Sequence, residues 1–171
     1  SCEREGPSFL LGGVTSVFNF ISSDGSYPDF VKGEIETVER QSLVNVGFTL
    51  TLFQEHHLAD LRKCVDQLGV ISFKMYNGAG GLDLFLPTKG VTDDFFLRAC
   101  EAIRDLGSPC FLRVHAENWH IARMLAERLR AAGREDAQAW TESRPDFVEV
   151  DAVQRAILLA GWADCPLYLV H

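Results

Sequence analysis

The chain has 171 residues, and 16 Lys plus Arg against 24 Asp plus Glu leave a formal charge of −8. That length fits one domain with a substantial core, while 47% hydrophobic and 23% charged residues argue against a disordered or a membrane-embedded chain. The acidic balance excludes a general nucleic-acid binder, which needs clustered Lys and Arg to neutralise phosphates, and no apolar run approaches the ~20 residues of a membrane span.

In chain order, Val14–Phe20 is β-branched and aromatic after a Gly12-Gly13 turn signal and predicts a first strand. Asp29–Leu43 reads as a helix of weak periodicity, and Val44–Phe53 as a second strand. Leu58, Leu61, Val65 and Leu68 recur at helical spacing, with Gly69 as the expected C-cap. Val70–Tyr76 is a third strand. Gly78-Ala-Gly80-Gly81 lacks the spacing of a dinucleotide-binding turn and reads as a flexible loop. Thr92 caps the next helix, with Asp93 and Asp94 at its positive end and Phe96, Ala99, Cys100, Ile103 and Leu106 as its buried stripe. After the strand Cys110–His115, a stripe of Ile121, Met124, Leu125 and Leu129 runs toward Gly133. Asp146 with Glu149 resembles a capping box opening a last helix, whose Val150, Val153 and Ile157 are expected to face inward. Pro166–His171 is the fifth strand. This alternation marks parallel βαβ units, in either a doubly wound sheet or part of a (β/α)8 barrel.

Five cysteines, at positions 2, 64, 100, 110 and 165, show neither zinc-ribbon spacing nor a secreted disulfide framework. Cys64 and Cys100 lie beside apolar helix faces and read as buried free thiols. A reducing cytoplasm fits this usage, and the N-terminus carries no signal-peptide pattern. The absence of an initiator Met, and an end directly after a strand-like run, raise the expectation that the chain is a segment of a longer one.

The informative polar residues lie at strand ends. Lys74 follows Val70-Ile-Ser-Phe, His115 follows Phe111-Leu-Arg-Val, and His171 follows Leu167-Tyr-Leu-Val. In parallel α/β folds the C-terminal strand ends form the active face, so these residues point to one shared site. Neutral imidazole is a good ligand for Zn²⁺ and its neighbours, whereas an ammonium is not. Burial would lower the Lys74 pKa and expose an amine able to capture CO2 as a carbamate, an anion that can bridge two cations.

Gly69-Val-Ile-Ser-Phe-Lys-Met-Tyr76 resembles the lysine strand of the dihydropyrimidinase and hydantoinase family of cyclic amidohydrolases, relatives of dihydroorotase and allantoinase. Arg113-Val-His-Ala-Glu-Asn118 is similar to that family's His-Ala-Glu-Asn strand end. Ser143-Arg-Pro-Asp-Phe-Val-Glu149 and Cys165-Pro-Leu-Tyr-Leu-Val-His171 resemble its next helix and strand. The resemblance implies a metal-dependent (β/α)8 barrel of the amidohydrolase superfamily, with residues 1–171 as an incomplete central portion of about five βα units. It implies two divalent metal ions, usually Zn²⁺, bridged by carboxylated Lys74, with His115 and His171 on the second metal. It also implies hydrolytic opening of a small cyclic amide or ureide, and a homo-oligomer.

The sequence departs from that pattern in three places. No His-x-His pair occurs, the late-strand Asp is absent, and Ala79 stands where many hydantoinases carry a Tyr. The first two departures lead us to expect no turnover by these residues alone. Tyr76 lies on the same strand face as Lys74 and is the substitute candidate for stabilising the oxyanion. Asn77–Val91 is a specificity lid or an insertion. Glu117 and Asn118 either orient His115 as supporting partners or cap the following helix. His56 and His57 are expected at the surface, and His120 against a neighbouring helix. Arg123, Arg128, Arg130 and Arg134 read as a solvated face. The alternative function is a non-catalytic scaffold of the same fold, and a free-standing small α/β binding domain is a third.

Overall fold

A computed structural model describes residues 2–77 and 91–171. Five strands run β1 (Ser16–Ile21), β2 (Asn45–Thr51), β3 (Ser72–Asn77), β4 (Phe111–Ala116) and β5 (Leu167–Leu169). They form one sheet in the order β1-β2-β3-β4-β5, with every neighbouring pair parallel. Between them lie α2 (Tyr27–Gln41), α3 (Glu55–Leu68), α4 (Asp93–Leu106), α5 (Trp119–Ala131), α6 (Ala137–Glu142) and α7 (Asp146–Trp162), and α1 (Cys2–Leu11) precedes β1. A doubly wound sheet reverses its strand order to place helices on both faces. Strictly sequential order with right-handed crossovers puts every helix on one face, which is the arrangement of a barrel wall. The sheet is therefore five consecutive units of a (β/α)8 barrel.

Side chains alternate across this wall. Phe73, Met75, Leu112 and Val114 are fully buried and belong to one core with Phe96, Ala99, Cys100 and Ile103 of α4. Ser72, Lys74, Tyr76, Arg113 and His115 take the opposite, concave face. Gly47 shows how tightly that face packs: a Cβ there would lie 2.8 Å from the Phe18 ring. Gly69 takes the left-handed φ of 68° that ends α3, as its spacing predicts. Cys64, Cys100, Cys110 and Cys165 are buried free thiols. No helix among the described residues is long and apolar enough to cross a membrane.

Several expectations are corrected. In α7 the residues against the wall are Val148, Ala152, Ala156 and Ala160, while Val150 and Ile157 are exposed and Val153 is half-buried. Alanines at i, i+4 and i+8 let the helix approach the sheet closely, and the larger residues turn outward. Pro145, not Asp146, occupies the cap position, and Asp146 and Glu149 are acids of the first turn. Met124 of α5 is exposed; Ala122 is the residue buried there. His120 is exposed rather than packed against a helix. His57 is fully buried because it turns under β2, 4.6 Å from the Tyr27 ring and 4.7 Å from Phe53, while His56 remains exposed. Helices α1 and α6 have no counterpart in the sequence-based reading.

Candidate functional site

Lys74, Tyr76 and His115 reach one site because strand periodicity and register coincide. Lys74 and Tyr76 are two residues apart on β3, and Tyr76 is the register partner of His115 on β4. The Lys74 side chain is buried, with Nζ 4.9 Å from the Tyr76 ring centroid and 5.6 Å from that of Phe20. The Tyr76 and His115 rings lie 5.7 Å apart, and His115 meets His171 edge-on at 5.3 Å. His171 lies just beyond β5 and is exposed. Thus the three strand-end residues and Tyr76 form one continuous group on the concave face.

Burial governs the electrostatics. Desolvation, and then the Arg113 cation, depress the Lys74 pKa to about 8. Desolvation, then Lys74 and His171, lower His115 to about 4, so its imidazole is neutral at pH 7 and offers a lone pair. Burial raises the Tyr76 phenol, which keeps its O–H as a donor.

Glu117 and Asn118 form the corner after β4. Asn118 is the N-cap of α5: its side-chain oxygen accepts from the Ile121 N–H at 3.3 Å, and its amide donates to Asp151 Oδ2 at 2.6 Å. Its backbone N–H donates to Val148 C=O at 3.0 Å. Glu117 pairs with Arg144 at 3.3 Å, and the Arg144 guanidinium stacks 3.4 Å from the Trp140 ring centroid. This corner ties the end of β4 to α7 and to the segment before it. The Asn118 cap agrees with one of its two sequence-based readings.

Two residues of the site escaped the sequence reading. Arg113 is the register partner of Lys74 and of Tyr168. The Phe20 ring centroid lies 5.6 Å from Lys74 Nζ and 5.6 Å from Arg113 Cζ. An Arg at an inward position, two residues before His115, was the available signal. The loop Asn77–Val91, with the Gly78–Gly81 turn and Ala79, falls outside the described residues except at its ends.

Among the described residues no three His, Cys, Asp or Glu side chains cluster as a metal site. The donor set here is two imidazoles and one lysine. Such a set fits a divalent metal only when the lysine carries an anion, and a buried amine of depressed pKa is the form that captures CO2.

No family model matches this sequence. An allantoinase of Solibacter usitatus (strain Ellin6076) is 43% identical over 60% of this chain and 21% of its own length. An allantoinase of Escherichia coli O9:H4 (strain HS) is 32% identical over 63% of this chain and 23% of its own. Among solved structures, the L-hydantoinase (dihydropyrimidinase) from Arthrobacter aurescens superposes with a TM-score of 0.87 at 26% identity, across 100% of this chain and 37% of that one. A D-hydantoinase superposes with a TM-score of 0.84 at 23% identity, across 100% of this chain and 36% of that one. The matched stretches thus cover under a quarter of the curated relatives' length.

Proposed function

We propose that this chain, which belongs with the hydantoinase-like cyclic amidohydrolases of the amidohydrolase superfamily, carries part of the active site of a hydrolase that opens a small cyclic amide or ureide ring. The observation that carries this reading is the group of Lys74, Tyr76, His115 and His171 at the ends of three adjacent strands. Hydantoin, dihydropyrimidine and allantoin rings are the substrate class. No His-x-His pair occurs in these 171 residues, so residues outside this stretch complete the site.

In this reading Lys74, as its carbamate, and neutral His115 and His171 would hold divalent metal, best matched by Zn²⁺. Bound there, the metals supply Lewis-acid polarisation and a water of lowered pKa. Overall, water oxygen adds to the ring carbonyl carbon, the ring C–N bond breaks, and the leaving nitrogen takes a proton. Tyr76 keeps its phenolic proton and donates it as a hydrogen bond to the carbonyl oxygen that gains charge. Glu117 and Asn118 act by holding the β4–α5 corner, which sets the direction of His115. The active assembly is a homo-oligomer.

The test is ring opening of hydantoin, dihydrouracil and allantoin by the full zinc-loaded protein, beside its Lys74→Ala variant. The reading predicts turnover of at least one ring and its loss in the variant. Turnover unaffected by Lys74→Ala contradicts it, and a zinc-loaded protein inert toward all three favours the scaffold.

A further inference from the structure

We propose that the outer face of α7 is the surface on which a second copy of this chain docks, which locates the contact of the homo-oligomer in the reading above. Both faces of α7 are apolar. Val148, Ala152, Ala156 and Ala160 pack on the wall, while Phe147, Val150, Ile157, Leu158 and Trp162 are exposed, Leu158 to 71% and Trp162 to 81%. A helix apolar all round is ordinarily covered all round. Its neighbours α4 and α5 instead expose the charged pairs Arg98–Asp94 and Arg123–Glu127. At ordinary residue sizes the five side chains leave roughly 600 Å² of apolar surface uncovered, a patch of the size that marks an interaction site. Two copies face to face would bury roughly 1,200 Å², the area of a small specific interface.

Geometry, charge and a glycine select a copy of this chain as the occupant. Barrel helices form a ring and pack side by side, so units that complete the barrel meet α7 along its flank and leave its outer face open. Between Phe147 and Trp162 only Glu149, Asp151 and Arg155 ionise. Helical spacing sets them at the borders of the strip, and Arg155 is held there by Asp93 of α4 at 3.1 Å and by Asp151 at 3.8 Å. A twofold contact brings the same patch of each copy together. In a chain of charge −8, a strip without ionisable groups is where two copies meet without repulsion. Gly161 lies exposed on the same face, outside the left-handed region, and a Cβ added to it would meet nothing within 4 Å. Glycine inside a helix costs stability relative to alanine, and the packing of the described residues does not call for it. A partner helix crossing at Gly161 does, because the missing side chain lets two backbones approach closely.

The experiment is sedimentation velocity of the full protein over a range of concentrations, beside the double variant Ile157→Glu, Trp162→Glu and the single variant Gly161→Leu. The unmutated protein is expected to self-associate, and the double variant to raise the dissociation constant by roughly a hundredfold. Gly161→Leu adds apolar surface, so a merely sticky patch would bind more tightly, whereas a helix crossing at Gly161 loosens. Circular dichroism, and unfolding in solutions dilute enough to part the copies, are expected to match the unmutated protein. Undiminished association in either variant overturns the proposal and leaves the oligomer to another surface. A protein monomeric at every concentration, with α7 covered by another part of it or by nothing, overturns the homo-oligomer as well, while ring opening stands on its own test. Should the double variant fail to fold, Gly161→Leu alone reads the contact.

Discussion

Lys74 and Arg113 are register partners on adjacent parallel strands, and Nζ of one and Cζ of the other each lie 5.6 Å from the centroid of the same ring, Phe20. Two like charges share one aromatic neighbour on the inner face of a barrel wall. The arrangement opposes protonation of the lysine, and its consequences can be measured.

The first concerns stability. Lys74 is held at about 8 in the folded state against 10.5 for the free group. Below pH 8 the folded protein therefore carries the whole cost of its charge. The cost shrinks as pH rises from about 8 to 10.5 and vanishes above that. In CO2-free buffer, Lys74→Met is expected to stabilise the chain at pH 7 by up to about 3 kcal/mol. Denaturant midpoints at pH 7 and pH 10.5 test this: the advantage should be large at the first and small at the second.

Acid has the matching effect through two histidines. Burial lowers both His57 and His115, the latter to about 4, from an ordinary 6.5. Below pH 6.5 the unfolded chain gains protons that the folded chain refuses, so stability is full above pH 6.5 and falls toward pH 4. His57→Phe, in a pocket already lined by Tyr27 and Phe53, should flatten part of that fall. A denaturation series from pH 7 to pH 4 reads the difference.

The packing of α7 predicts an inversion of the usual size rule. Ala156 is fully buried against the wall, whereas Leu158 is exposed. Ala156→Leu should cost about 1–3 kcal/mol by overpacking, and Leu158→Ser should stay within about 0.5 kcal/mol. Equal effects in urea denaturation would contradict the orientation of the helix.

Asn118 joins a helix cap to a bond with Asp151. Asn118→Ala should cost about 1–2 kcal/mol. Asn118→Asp keeps the cap acceptor but sets two carboxylates against each other, so its deficit should shrink below about pH 4. Thermal melts at pH 7 and pH 3.5 distinguish the two variants.

The five strands and the clustering of Lys74, Tyr76, His115 and His171 were legible in the sequence, because period-two alternation and strand ends are local patterns. The barrel could not be separated from a doubly wound sheet on local grounds, since strand order is a property of the crossovers. The inward face of α7 was misread because apolar periodicity weights large side chains, while close helix–sheet approach selects Ala152, Ala156 and Ala160. His57 was misread because a histidine in a helix's first turn carries no sign of the Tyr27 and Phe53 rings that enclose it. Arg113 was passed over for a related reason: its aromatic neighbours come from three strands, β1, β4 and β5, that meet only in the folded sheet.

In the proposed function Lys74, as an anion, joins His115 and His171 in holding metal. Its most direct test is metal stoichiometry by plasma mass spectrometry on the full protein, beside Lys74→Ala and His115→Ala. About two divalent ions per chain are expected, falling sharply in Lys74→Ala and by about one in His115→Ala. Metal content unchanged by loss of Lys74, or no bound metal in the unmutated protein, would contradict it.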